Sequence, residues 1–273
     1  MGKFDGVLIC TDLDGTLYRA DKTISRENRD AISYFKSEGG LFTFITGRMP
    51  YYSMGAYRDV SPNVPFGCIN GGGLYDGERG EYVRKTELSR EALLLVEYID
   101  KLFPTVGIQT CCFGNTFFAK ENPTMKKFRA ATGLPRLIKD YLDVDEPIAK
   151  MIFGSDSNED ILAIEAALKS HPVSEKFNFI RSERTLFEIL PKGVHKGLAL
   201  RWLTEYLGIG SEKTVAIGDY NNDIGMFREA GLGIAVSNAS LEALAAADLV
   251  TVSNEEHAIA EIIYGIESGK YKI

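Results

Sequence analysis

The sequence predicts an α/β protein, with a doubly wound parallel sheet interrupted by an inserted α/β domain. Short apolar runs of strand length alternate with stretches of helical periodicity near both ends of the chain, the pattern of a parallel sheet with helical crossovers. From about residue 84 to 186 the rhythm changes to that of a separate unit with a small sheet of its own. At 273 residues the chain exceeds the ~150 of a typical domain and has room for two. The expected division is 1–83 and 187–273 for the core and 84–186 for the insertion.

The first element is the apolar run that starts at Val7 and empties into Asp12 and Asp14. Ser25 then caps a helix to about Ser37, which Gly39 and Gly40 close. Residues 41–45 form a second strand, ending in Thr46-Gly47-Arg48. A helical stretch over 51–57 and a proline-bounded break lead to a third strand, 65–69. Asn70 and glycines 71–73 turn the chain, and alternation over 74–84 around Asp76-Gly77 predicts a hairpin. Within the insertion, helices over 89–102 and 159–169 alternate with strands over 116–119, 148–153 and 177–180. Strand and helix then alternate again: strand 186–190, helix 195–207, strand 214–217 and helix 223–229. Strand 233–236, helix 241–246, strand 249–252 and a last helix from 256 complete the order. No internal repeat or low-complexity segment interrupts it.

Composition narrows the class. Hydrophobic residues make up 45% and charged residues 25%, as in ordinary globular proteins. The 31 basic and 38 acidic residues leave a net charge of −7, and no basic run is interleaved with aromatics, which argues against a nucleic-acid partner. Cys10, Cys68, Cys111 and Cys112 form no C-x-x-C pair and suit reduced, packed thiols. No apolar run reaches membrane-spanning length, and the first strand begins too early to leave room for a leader, so a cytoplasmic protein without a membrane partner is expected. His171, His195 and His257 lack zinc-ligand spacing. The sequence leaves oligomeric state undetermined.

The chemistry concentrates where strands end. Alternate residues of an extended backbone point to one side, so Asp12 and Asp14 approach one ligand together, and Gly15 lets the chain turn behind them. Two acids ~4 Å apart repel by roughly 4 kcal/mol at an effective dielectric near 20, which points to a cation between them. A second acidic cluster, Gly218-Asp219-Tyr220-Asn221-Asn222-Asp223, also follows an apolar strand; alone it reads equally well as a helix cap. Together the two clusters offer the oxygen ligands that Mg²⁺ takes. In open parallel sheets ligands bind beyond the carboxyl ends of the strands, where Asp12, Asp14, Thr46 and Asp219 all fall. Gly47 leaves its amide unhindered beside the Thr46 hydroxyl. Lys196 stands near a helix start, where the dipole disfavours a cation, a position that makes sense if it faces the carboxylates. Asn70-Gly71-Gly72-Gly73 could cradle phosphate, but a structural turn is the favoured reading, because a hairpin follows it and not a phosphate-binding helix.

Asp-Leu-Asp-Gly-Thr-Leu at 12–17, Thr-Gly-Arg at 46–48, Lys196-Gly197 and Gly-Asp-x-Asn-Asn-Asp at 218–223 resemble, in order, the four motifs of the haloacid dehalogenase-like hydrolase superfamily. The Asn70-Gly-Gly turn, Glu188-Ile-Leu-Pro-Lys-Gly-Val-x-Lys196 and the segment from Ala247 to Asn254 are similar to its Cof-type phosphatases, and the likeness spans essentially the whole chain. It implies a Rossmann-like doubly wound core with an α/β cap over 84–186 that sets substrate specificity, and Mg²⁺-dependent hydrolysis of a small organic phosphate, a sugar phosphate or phosphorylated cofactor. By the same resemblance Asp12 is the nucleophile and Asp14 the general acid/base, a role that a raised pKa would suit. Leu13, Thr46, Gly47, Lys196 and Asn222 hold phosphate; Asp12, Asp14 through its carbonyl, Asp219 and Asp223 hold the metal. Tyr220 is bulkier than expected, and Glu255-Glu256-His257-Ala258 replaces an acidic-Asp-Gly run. A phosphotransferase or mutase of the same superfamily, or a non-catalytic sensor of phosphometabolites, are the alternatives.

Overall fold

A computed structural model describes residues 2–273, which form two compact units. Unit 1 comprises the chain up to Arg48 with Ser53–Lys85 and His195–Ile273; unit 2 comprises Met49–Tyr52 and Thr86–Val194. In chain order the elements begin with β1 (Leu8–Thr11), α1 (Arg26–Ser37), β2 (Leu41–Phe44), α2 (Pro50–Val60), β3 (Phe66–Cys68), β4 (Gly73–Asp76) and β5 (Glu81–Lys85). They continue with α3 (Ala92–Leu102), β6 (Gly107–Cys112), β7 (Thr116–Lys120), α4 (Pro123–Thr132), β8 (Ile148–Gly154), α5 (Asn158–Ser170), β9 (Phe177–Glu183) and β10 (Leu186–Pro191). Then follow α6 (Lys196–Leu207), β11 (Thr214–Gly218), α7 (Ile224–Glu229), β12 (Leu232–Ala235), α8 (Leu241–Ala246), β13 (Leu249–Val250) and α9 (Ala258–Glu267).

Unit 1 holds a five-stranded sheet in the order β13-β12-β11-β1-β2, parallel throughout. Its central strands are buried at every position because crossovers cover both faces, which is why they read as unbroken apolar runs. Leu8 and Cys10 of β1 pack with Ala216 of β11, Leu200 and Leu203 of α6 and Met226 of α7. The Ser25 side chain accepts from the Asn28 amide at 3.2 Å and starts α1. In register, Thr11 lies between Ile217 on β11 and Phe44 on β2. The residues that follow these strands therefore leave the sheet at one edge. That edge carries the site.

β3 departs from expectation. It pairs antiparallel with β4 in a separate sheet β3-β4-β5 and meets the main sheet through the Ile45–Gly67 bridge and the stacking of Phe66 on Phe44 of β2. The tight turn after Cys68 sends β4 straight back along β3, so no crossover intervenes.

Unit 2 is built on the sheet β7-β6-β8-β10-β9, with α3 and α5 packing Val96, Ile99, Ile164 and Leu168 against Met151, Phe153 and Phe187. The expected boundary at residue 186 is corrected here. β10 pairs antiparallel with β8 and β9, so unit 2 runs on to Val194. The buried Glu188 on β10 explains the pairing, because its Oε2 lies 2.8 Å from Nζ of the buried Lys150 on β8. Two elements, β6 and α4, carry too little apolar periodicity to be read from sequence, although Asn122 caps α4 ahead of Pro123. No helix among the described residues is long and apolar enough to cross a membrane.

Candidate active site

The site begins with the termini of β1 and β11. The Asp12 amide donates to the Ile217 carbonyl at 2.8 Å, extending the ladder one residue past β1. Gly15 has φ +85°, and a Cβ there would stand 2.5 Å from Oδ2 of Asp219, so only glycine lets the first loop close on the second. The Thr16 hydroxyl donates to Asp219 Oδ1 at 2.8 Å and fixes that carboxylate. Asp223 turns back on its own loop, where its Oδ2 accepts from the Asp219 and Tyr220 amides at 2.9 Å each. Tyr220 thus contributes backbone to the acidic loop.

Carboxylate oxygens of Asp12, Asp219 and Asp223 lie within 4.8 Å of one another. Lys196, only 1% exposed, bridges two of them: its Nζ is 2.5 Å from Asp12 Oδ1 and 2.5 Å from Asp223 Oδ1. The helix start that disfavours a cation is outweighed by these acids. Burial opposes the Lys196 charge, but Asp12 and Asp223 hold its pKa above the ordinary lysine value. Burial, with Asp223 and Asp219 beside it, pushes Asp12 upward against Lys196. Asp219 is pushed up to about 6, chiefly by burial and then by Asp223. Three acids thus face one ammonium. The set of hard oxygen donors fits a divalent cation such as Mg²⁺.

Asp14 stands apart from this cluster. Arg48 grips its carboxylate through Nε at 3.1 Å and Nη2 at 2.7 Å, and Lys22 Nζ adds a contact at 2.9 Å. Burial would raise its pKa, but Arg48 and Lys22 prevail and hold it below the ordinary carboxylate value. The raised pKa expected of an acid catalyst is therefore not found in this arrangement. The reason is the guanidinium, whose residue was visible in the Thr-Gly-Arg segment; nothing in the sequence marked Lys22.

The predicted phosphate groups come from separate segments. Thr46 is buried at the end of β2, its amide donating to Gly67 at 3.0 Å and its hydroxyl accepting from the Arg48 amide at 3.3 Å. Gly47 lies so close to Asn70 that a Cβ would meet Asn70 Oδ1 at 2.9 Å. Asn222 Nδ2 donates to Asn70 Oδ1 at 3.0 Å. Leu13 is buried, its carbonyl accepting from the Tyr18 amide at 2.8 Å. Asn70 sits in the expected turn and is also in contact with three predicted site residues, Thr46, Gly47 and Asn222. Its signal was the strand end just before it.

Comparisons with known proteins show the family to which the chain belongs. The sequence profile of the haloacid dehalogenase-like hydrolase family matches residues 9–263. The chain is 30% identical to the 5-amino-6-(5-phospho-D-ribitylamino)uracil phosphatase YwtE of Bacillus subtilis, over 96% of this chain and 99% of that one. It is 26% identical to the phosphatase YbjI of Escherichia coli, named for the same substrate, over 94% of each chain. Among solved structures, a haloacid dehalogenase-like hydrolase from Bacteroides thetaiotaomicron superposes with a TM-score of 0.83 at 28% identity, covering 95% of this chain and 99% of the other.

Proposed function

Because the chain belongs to the haloacid dehalogenase-like hydrolase family, we propose that it is a Mg²⁺-dependent phosphatase of small organic phosphate monoesters, acting through an aspartyl-phosphate. The observation that carries this reading is Lys196 bridging Asp12 and Asp223, with Asp219 in the same cluster, at the ends of adjacent strands. A magnesium ion held by Asp12, the Asp14 carbonyl, Asp219 and Asp223 would supply the positive charge that lets an anionic nucleophile meet an anionic phosphate.

The chain's own residues do the rest. Asp12 attacks phosphorus in line, forming its acyl-phosphate bond as the bond to the leaving oxygen breaks. Lys196, the Thr46 hydroxyl, Gly47 and Asn222 hold the phosphoryl oxygens, with the loop at Leu13 alongside. Asp14 gives a proton to the leaving oxygen, which departs as the alcohol. It then takes a proton from the water that attacks phosphorus, which releases inorganic phosphate and restores Asp12. Ionised as it stands, Asp14 is ready for the second half; acting as acid requires that Arg48 and Lys22 loosen their hold. Residues 86–194 form the specificity domain in this reading. The substrate class is a sugar phosphate or a phosphorylated cofactor precursor, supported by the ribitylaminouracil phosphate in the names of YwtE and YbjI.

The test is phosphate release over a panel of sugar phosphates, alditol phosphates and phosphorylated cofactors with Mg²⁺. Turnover should cease on chelation and return when the metal is restored. Asp12→Asn should lose on the order of a thousandfold or more in kcat. A variant that kept a tenth of the wild-type rate would remove Asp12 from the nucleophile's role.

A further inference from the structure

We propose that Asn70 is a positioning residue for phosphate binding, holding the Asn222 carboxamide in the orientation that faces the substrate's phosphoryl oxygens. The proposal rests on the phosphatase reading and deepens it.

Three segments that are far apart in sequence meet on the turn at residues 69–71. The Asn70 amide donates to the Thr46 carbonyl at 3.0 Å, and the Ile69 amide donates to the Arg48 carbonyl at 3.0 Å. Oδ1 of the fully buried Asn70 accepts from Asn222 Nδ2 at 3.0 Å. Gly71 backs onto the start of α6, where a Cβ would stand 1.9 Å from the His195 carbonyl oxygen and 3.0 Å from the Lys196 nitrogen. One short turn thus touches the Thr46-Gly47 loop, the helix that carries Lys196 and the loop that carries Asn222.

The backbone there is unusual. Ile69, Asn70 and Gly71 all have positive φ, at 58°, 51° and 98°. Chain reversal alone would be met by glycine, which enters this region freely, and a β-branched residue such as Ile69 enters it at a cost. The left-handed backbone turns the Asn70 side chain back toward residues 47 and 222. A side-chain amide has one acceptor oxygen and two donors, so the bond from Asn222 Nδ2 to Asn70 also fixes which way the Asn222 oxygen and its second N–H point. A reversal needs no carboxamide. Orienting Asn222 does.

The experiment separates these roles by measuring what Asn222→Ala costs in different backgrounds. Affinity for inorganic phosphate in the presence of Mg²⁺ is read by calorimetry, and KM and kcat are read with p-nitrophenyl phosphate. In the wild type, Asn222→Ala should weaken phosphate binding and raise KM by about tenfold, within the range of coupled neighbours. Asn70→Asp keeps an acceptor at the same point, so the cost of Asn222→Ala should stay within about threefold of its wild-type value; the added charge is common to both members of that pair and cancels. Asn70→Gly keeps the left-handed backbone and deletes the acceptor, so the cost should fall below about twofold. Asn70→Ser, too short to reach Asn222, serves as the deletion background if the glycine variant does not fold. An equal cost in every background would overturn the proposal while leaving the phosphatase reading intact. A wild type that neither binds phosphate nor hydrolyses the ester would overturn both.

Discussion

Lys196 shows how one side chain can make an otherwise repulsive site stable. Asp12 and Asp223 each approach its ammonium to 2.5 Å, and the group is almost wholly buried. Removing one partner of a buried ion pair leaves the others uncompensated, at a cost of about 3–5 kcal/mol. Lys196→Met is therefore expected to destabilise unit 1 by roughly that amount in urea titrations without metal. It should also lower kcat on the order of a hundredfold or more, because it removes a fixed charge facing the phosphoryl group. Lys196→Arg should not restore the rate, since a planar guanidinium cannot take the place of a compact ammonium between two carboxylates. An unchanged kcat in Lys196→Met would return the residue to a structural role. At this scale the meeting of Asp12, Asp219 and Asp223 was legible from two acidic clusters that each follow an apolar strand, and Lys196 from a cation at a helix start, where the dipole disfavours it. Asn70 was not, because its part depends on a partner 152 positions away in the chain.

Among elements, those legible in the sequence were the ones whose buried positions are apolar; β6, buried throughout but carrying Gln109 and Thr110, was not. α1 announced itself by its Ser25 cap and closing glycines, and β1 and β11 by unbroken apolar runs. β10 was visible as a strand but placed in the wrong sheet, since an apolar run does not say which neighbour it pairs with; the cross-strand Lys150–Glu188 pair does. That pair yields a prediction for unit 2. Lys150→Met alone should cost about 3–5 kcal/mol, whereas Lys150→Met with Glu188→Leu should cost markedly less, because no buried charge is then stranded. Equal losses in single and double variants would show that the charges contribute only as bulk. At the start of α6, His195 gives a pH dependence. Its Nδ1 has no hydrogen-bond partner among the described residues, and burial pushes its pKa below the ordinary 6.5, with Glu229 opposing in part and Arg201 assisting. The folded chain resists a proton that the unfolded chain accepts near pH 6.5, so this contribution to stability is complete above 6.5 and is lost as the pH falls toward the folded-state pKa. Denaturant midpoints followed from pH 8 to 5 should fall less in His195→Asn than in the wild type. Asp219, which titrates in the same range, is common to both, so the difference isolates the imidazole.

At the scale of the molecule, the three clustered carboxylates all belong to unit 1, although residues 12 and 219 are separated in sequence by the whole of unit 2. The native arrangement of that unit brings them together; an unfolded chain would hold them apart. A cation that binds only the folded cluster must stabilise it by mass action, by about 2.7 kcal/mol when present at a hundredfold its dissociation constant. For a unit of this size each kcal/mol moves a thermal midpoint by roughly 2–4 °C, so saturating Mg²⁺ should raise the melting of unit 1 by about 5–10 °C. The two units need not unfold in one step, and only the transition of the unit that carries the acids should move. Scanning calorimetry with and without Mg²⁺ checks this directly. In Asp219→Asn the apo protein should melt at or above the wild-type temperature, because one of three mutually repelling acids is gone, while the Mg²⁺-induced rise should nearly vanish. A rise that persisted in Asp219→Asn, or one that appeared in unit 2, would mean that the ion binds somewhere other than among Asp12, Asp219 and Asp223.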